Sequence, residues 1–342
     1  MRLERRQEFE RNEKLEGLLQ EINSILEIAE DRILERYHMP RYPVVLIVGC
    51  GRSGSTLMLQ WLARTGRFAF PTNLLSRFYA APYIGARIQQ MLTDPQFNFR
   101  NELGEFSNEI NFSSLLGKTQ GLLAPNEFWY FWRRFFPYGE IQYLDDQALE
   151  KVDVSSFVAE LAAIEAAFGK PLALKGLIIN WNIPFLSSIL DKVLFIHVTR
   201  HPLYNAQSLL EARTSFFGNQ RQWYSFKPRE YDDLKDLNPY EQVASQVYFT
   251  NRAIEKGLAQ IDNSRWMKIS YEEFCDAPAE VFKQILGKLE QQGFRVKWSY
   301  PGVKNFQSTN QTRLSEKDFN EIIRAWENIS EKDISIDVKR TD

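Results

Sequence analysis

The sequence predicts an α/β fold of three layers, a parallel sheet with helices on both faces and an N-terminal helix appended. Two observations carry this. Short, β-branched apolar runs alternate with longer amphipathic patterns of helical period, which is how strands buried on both faces read when helices cross between them. The first run also passes through a glycine-rich turn into a helix, the opening of an anion-binding α/β domain. We divide the chain at residues 1–40, the N-terminal amphipathic helix, and 41–342, the main domain.

Residues 3–36 read as one helix. Leu15, Leu18, Leu19, Ile22, Ile25, Leu26, Ala29 and Ile33 recur at helical spacing among charges. Such a helix packs on its own domain or pairs with a second copy in a homodimer. Pro40 and Pro43 end it, because proline removes a backbone donor and restricts its predecessor. Val44–Val48 is the first strand, then the turn Gly49–Gly54, then a helix over 55–65. Phe68–Phe70 is a candidate strand. The aromatic stretch 72–150 reads as mostly helical, with 126–136 as a core or lid helix.

Regular alternation resumes with a helix over 154–168 and a strand over Leu172–Lys175. A helix over 183–190 precedes a strand over Val193–Val198, and Thr199–Pro202 turns into a helix through Arg213. Helices are expected at 239–261, 278–291 and 316–326, with a strand at Trp266–Ile269 and a loop at 298–315.

Composition sets the outer bounds. The 342 residues are 44% hydrophobic and 25% charged, enough for a large core without disulfides. The formal net charge of -2 gives no reason to expect nucleic acid. Cys50 and Cys275 form no CxxC pair, which fits a reducing, cytoplasmic setting without a metal cluster. His197 and His201 have HxxxH spacing, but on a strand end and turn rather than a helix, so a metal site is not expected. No apolar run approaches ~18 residues and no secretory leader is visible. Charge distribution says more. No acidic residue lies between Glu35 and Asp94, a window holding Arg41, Arg52, Arg64, Arg67, Arg77 and Arg87. A cationic stretch around a glycine turn suggests an anionic ligand.

Three anion-binding patterns compete for the turn. All use the unpaired N–H groups and positive dipole end of a helix N-terminus. Gly49-Cys50-Gly51-Arg52-Ser53-Gly54 fits GxGxxG, but the acid a dinucleotide site wants about 20 residues on is missing. Gly49, Gly54 and Thr56 fit a nucleoside-triphosphate loop, as in a kinase, but Ser55 stands where the phosphate-binding lysine belongs.

The third pattern joins two segments. Arg52-Ser53-Gly54-Ser55-Thr56-Leu57 resembles the R-S-G-[ST]-T-L loop of the carbohydrate and tyrosylprotein branches of the sulfotransferases. These enzymes use 3′-phosphoadenosine-5′-phosphosulfate (PAPS) as sulfuryl donor. The strand Val193–Val198, Arg200, Pro202 and Ser208, eight residues after the arginine, resemble the family's 3′-phosphate signature. Arginine grips a phosphate bidentately and the serine adds a hydroxyl contact. Lys175 ends a strand where the family carries a lysine, and Tyr271-Glu272-Glu273-Phe274 with Pro278 is similar to its Y-E-[DE]-[LF]…P segment near the adenine. Asn305–Arg313 stands where a C-terminal loop closes over the nucleotide, with Gly302, Lys304 and Arg313 as its glycine and basic residues. The resemblance covers roughly residues 43–330 and implies a P-loop-like sheet.

It also implies roles. Arg52 and the Ser53–Thr56 backbone would hold the 5′-phosphosulfate, with hydroxyl contacts from Ser55 and Thr56. Lys175 would stabilise the leaving oxygen, and no metal is required. The general base is missing from its usual place, because Phe70–Leu75 holds no acid. Glu127, in an aromatic helix where burial would favour the neutral acid, is the replacement we expect, with Glu105, Glu109 and His201 behind it. The aromatic stretch 126–136, Trp181 and Trp223 would enclose a small-molecule or glycan acceptor, offering a hydroxyl or amine, with carbohydrate favoured. The competing class is a non-catalytic nucleotide binder on the same fold.

Overall fold

Four runs of apolar sequence pair into one parallel sheet in the computed structural model, which describes residues 5–97, 100, 102 and 110–339. The strands are β1 (Val44–Val48), β2 (Ala173–Lys175), β3 (Val193–Thr199) and β4 (Trp266–Ser270), in the order β2-β1-β3-β4. Ile47 pairs with Lys175, Val48 with His197 and Thr199 with Ser270, so the strands end along one edge. The chain leaves β1 for β2 on one side and returns to β3 on the other. That reversal opens a crevice at the carboxyl ends of the strands, where such sheets bind ligands.

Alternate side chains divide the core into two layers. Leu46, Val48, Leu174, Val193 and Phe195 face the helices Val154–Phe168 and Ile183–Ile189 and the aromatic segment 128–138. Val45, Ile47, Leu194, Ile196 and Ile269 face the helices Ser55–Arg64 and Pro278–Gln291. The three-layer expectation holds. A further helical layer joins Pro202–Phe217, Pro239–Leu258 and Glu316–Lys339. Among the described residues no helix is long and apolar enough to cross a membrane.

Several boundaries differ from expectation. The N-terminal stretch is not one helix. A single 3-10 turn, Gln7–Phe9, precedes a helix over Glu13–Leu34, and Asn12 caps that helix by accepting from the Leu15 amide at 3.1 Å. Tertiary contact fixes the break. Phe9 is buried against Phe216, ring centroids 4.7 Å apart, and the Arg6 amide donates to the Phe216 carbonyl. The helix then docks on the domain through polar groups. Asn23 donates to the Arg77 carbonyl and accepts from the Ala80 amide, and the buried Glu30 carboxylate accepts from the Tyr83 and Ile84 amides. Glu30 thus sits on the N-terminus of the helix Pro82–Thr93, whose amides offset only part of the burial that pushes its carboxyl up.

Phe68–Phe70 forms no strand, only a bridge from Ala69 to Leu172. The described part of 72–150 is mostly irregular, with short helices at Pro82–Thr93, Trp129–Phe135 and Asp146–Leu149. The final helix runs thirteen residues beyond the expected end. His197 is buried in β3 with Nε2 3.0 Å from Asn251 Oδ1, whereas His201 is exposed, so the two do not converge on one ligand.

Candidate functional site

The glycine loop turns sharply at the carboxyl end of β1. Arg52 and Gly54 both lie in the left-handed region, at φ 69° and 100°. Gly54 can only be glycine for a second reason. A Cβ there would stand 2.6 Å from the Tyr271 ring. The helix Ser55–Arg64 begins at this point with no acid in its first turn, which leaves its positive end open to an anion.

Two asparagines outside the loop hold it. Asn180 donates to the Gly49 carbonyl and accepts from the Gly49 amide, and Asn205 donates to the Gly51 carbonyl. Sequence reasoning missed both. Their only signal is their place just after β2 and inside the helix that follows β3.

Lys175, at the end of β2, is buried and reaches back across the sheet edge. Its ammonium donates to Thr56 Oγ1 at 2.8 Å and to Glu127 Oε1 at 2.5 Å. Three separately expected site residues therefore touch. The environment of Glu127 is not the expected one. It precedes the helix, which starts at Trp129, and its side chain is 37% exposed. The left-handed Phe128 (φ 56°) turns the chain so that the aromatic rings enter the core while the carboxylate stays in the crevice.

On the other side of β1, Arg200 at the end of β3 is 8% exposed. Its guanidinium lies 4.9 Å from the Tyr271 ring centroid and donates to the Arg52 carbonyl, Asn310 Oδ1 and Thr309. The Tyr271 hydroxyl in turn accepts from the Thr309 amide. The C-terminal loop does close on this site, but through Thr309 and Asn310 rather than the residues expected. Arg313 turns away to pair with Glu211 at 2.6 Å and does not line the crevice. Arg52 Nε donates to Ser208 Oγ at 3.3 Å, which links the two signature segments directly.

One cavity of about 1250 Å3 contains Arg52, Gly54, Ser55, Thr56, Glu127, Lys175, Arg200 and Tyr271 in its wall. Ser53 lies beneath it, fully buried, with an Oγ that has no hydrogen-bond partner. An unpartnered buried hydroxyl at a helix N-terminus, beside a glycine cradle, fits an oxyanion group of a nucleotide. Of the cationic run 41–87, only Arg52 and Arg77 reach the cavity.

The far half of the cavity is apolar and aromatic, with Leu74, Trp129, Tyr130, Phe217, Tyr224 and Phe226 among its walls. Trp181 and Trp223 are not in it. Trp223 instead packs on the buried Arg213 and donates to the Phe226 carbonyl. Leu115 to Lys118 form a tight hairpin across the reacting groups. Gly117 is at φ 88°, and a Cβ on it would stand 3.1 Å from Glu127 Oε1. Of the other candidate bases, His201 lies outside the cavity, and Glu105 and Glu109 lie outside the described residues.

This combination of parallel sheet, glycine loop and cationic strand ends has a match in sequence. Residues 43–294 match the Sulfotransferase family, and the chain belongs to it. It is a member of a family of enzymes that transfer sulfuryl groups, generally from PAPS. No curated protein sequence matches the chain. Similar solved structures include sulfotransferase STF9 from Mycobacterium avium, at 12% identity over 81% of this chain and 68% of that one, with a TM-score of 0.44. The sulfotransferase domain of the Synechococcus PCC 7002 olefin synthase shows 17% identity over 86% and 96%, TM-score 0.41. Sulfotransferase STF1 from Mycobacterium tuberculosis H37Rv shows 10% over 78% and 72%, TM-score 0.45.

Proposed function

We propose that this chain transfers the sulfuryl group of PAPS to an acceptor hydroxyl. The observation that carries the reading is Lys175 Nζ bridging Thr56 Oγ1 and Glu127 Oε1 on the wall of a cavity shared with Arg52 and Arg200. Arg52, Ser53 and the amides opening the helix Ser55–Arg64 hold the 5′-phosphosulfate. Arg200 and Ser208 hold the 3′-phosphate, and Tyr271 lies by the adenine.

In the reaction the acceptor oxygen attacks sulfur, and the bond from sulfur to the oxygen of the 5′-phosphate breaks. The acceptor proton passes to Glu127. Lys175 and Thr56 stabilise the negative charge left on the departing phosphate oxygen. Lys175 holds Glu127 as well, so one cation links the base and the leaving group. The chemistry is positioning and charge stabilisation, supplied by side chains already on the sheet edge. The apolar far half of the cavity favours an acceptor with a hydrophobic body over a bare sugar.

Thermal unfolding with adenosine 3′,5′-bisphosphate, and separately with ATP–magnesium and NADPH, tests the donor. Saturation at ~100 times the dissociation constant adds about 2.7 kcal/mol of stability, and we expect the shift with the bisphosphate alone. A shift with ATP or NADPH in its place would overturn the reading.

A further inference from the structure

The cavity wall contains cations that the transfer chemistry does not use. Arg5, Arg77 and Lys118 all line it, and none makes a salt bridge among the described residues. The acids of the same wall are Glu16 and Glu127, and both are engaged. Glu16 accepts from the Tyr130 hydroxyl at 2.6 Å, and Glu127 is held by Lys175. Glu16 keeps its charge, but with Glu127 paired to Lys175 it faces Arg5, Arg77 and Lys118, so the far half is apolar in body with an excess of positive charge.

Arg5 and Lys118 are held by one aromatic pair. Arg5 lies 5.3 Å from the Phe216 centroid and Lys118 lies 5.5 Å from the Phe9 centroid, on two rings that pack at 4.7 Å. The rings stiffen both side chains without neutralising them. Each cation carries a cost. Burial, and then Arg5, hold the Lys118 ammonium below the ordinary lysine range, while burial and then Arg11 lower Arg5. The cations of this wall outnumber its two acids, and Glu127 offsets the Lys118 charge only in part, so an added anion relieves the excess. Arg5 and Phe9 lie outside the region 43–294 matched by the family and Lys118 and Phe216 lie inside it, so the N-terminal segment supplies half of this corner.

We propose that the acceptor is an amphipathic alcohol whose apolar body lies on the Leu74–Trp129–Phe217 wall and whose anionic end is held by Arg5 and Lys118. The inference rests on the sulfuryl-transfer reading for its hydroxyl and on the wall itself for its charge.

The test uses the full chain and three probes of one length: an ω-hydroxydodecanoate, the matching diol and the matching amino alcohol. Equilibrium binding is read by the fluorescence of Trp129 and its neighbours, and turnover is read with PAPS. The carboxylate should bind about tenfold more tightly than the diol, with the amine weakest. Arg5→Met with Lys118→Met, which keeps the apolar stems, should collapse that ratio towards one while the bisphosphate still raises the unfolding midpoint. An ω-hydroxyalkyl phosphate in a parallel arm separates phosphate from carboxylate recognition. Equal binding of the three probes, or a ratio unchanged in the double variant, would overturn the inference. Failure of the bisphosphate to bind would instead overturn the donor assignment, and the binding series would still report on the anionic end.

Discussion

Lys175 and Glu127 form a salt bridge of 2.5 Å across the carboxyl edge of the sheet, one from the end of β2 and the other from a turn 48 residues earlier. The pair joins the group placed to stabilise the leaving oxygen to the group placed to take the acceptor's proton. It also gives the means of separating catalysis from binding.

Lys175→Ala should lower kcat by about 10²–10³, the usual effect of losing one charge-stabilising donor. Nucleotide affinity should stay near wild type, because Arg52 and Arg200 remain. Steady-state kinetics with a bisphosphate titration would check both. Unchanged turnover would remove Lys175 from the transfer step, whereas bisphosphate binding without turnover in the unaltered chain would return the protein to the class of non-catalytic nucleotide binders.

Glu127→Gln keeps the shape and a hydrogen bond to Lys175 but cannot accept the proton. We expect kcat to fall by about 10²–10⁴ with little change in the KM for PAPS. A loss confined to KM would make Glu127 a binding group.

Arg200→Ala should weaken adenosine 3′,5′-bisphosphate by roughly 10- to 100-fold, the value of a charged hydrogen-bonded contact. Adenosine 5′-phosphate should lose much less. Calorimetric titration of both ligands gives the ratio. Equal losses would mean that Arg200 acts only by tethering Thr309 and Asn310.

Two buried groups make stability depend on pH in opposite directions. Burial pushes His197 down to about 4, from an ordinary value of 6.5. The unfolded chain therefore takes up a proton first, and stability present above pH 6.5 is lost as pH falls towards 4, by a few kcal/mol. Glu160 is the reverse. Burial and then Glu30 push it up to about 9, outweighing the bond it accepts from Arg134 at 2.6 Å. Its contribution is present below about 4.5 and is lost as pH rises through 9. Glu160→Gln should raise the unfolding midpoint at pH 8.5 and leave it nearly unchanged at pH 4.5. Equal effects at both pH values would count against a raised carboxyl at this position.

The sheet was legible because its strands are continuous apolar runs, and a strand buried on both faces has few other ways to be written. Lys175, Thr56 and Glu127 were each nameable, but their mutual contact was not, since it depends on register and on the turn at Phe128. The hydrogen bonds of Thr309, Asn310, Asn180 and Asn205 left no trace in the sequence, because short polar residues in loops look alike whatever they hold. The break before Asn12 was hidden for another reason. The charged stretch before Asn12 reads on into the helix, yet the ring of Phe9 within it is claimed by Phe216.

The far wall of the cavity comes from residues 5–19, 74–77, 112–122, 129–130 and 216–226, whereas the nucleotide and reacting half comes from 49–56, Glu127, Lys175, Arg200, Tyr271 and Thr309. These are different stretches of chain with different constraints. A gene encoding such a protein can mutate the first set while the second stays under strict selection. Descendants of one ancestor would then keep their donor and drift apart in what they sulfate, and the codons for residues 5–19 would be among the earliest to diverge.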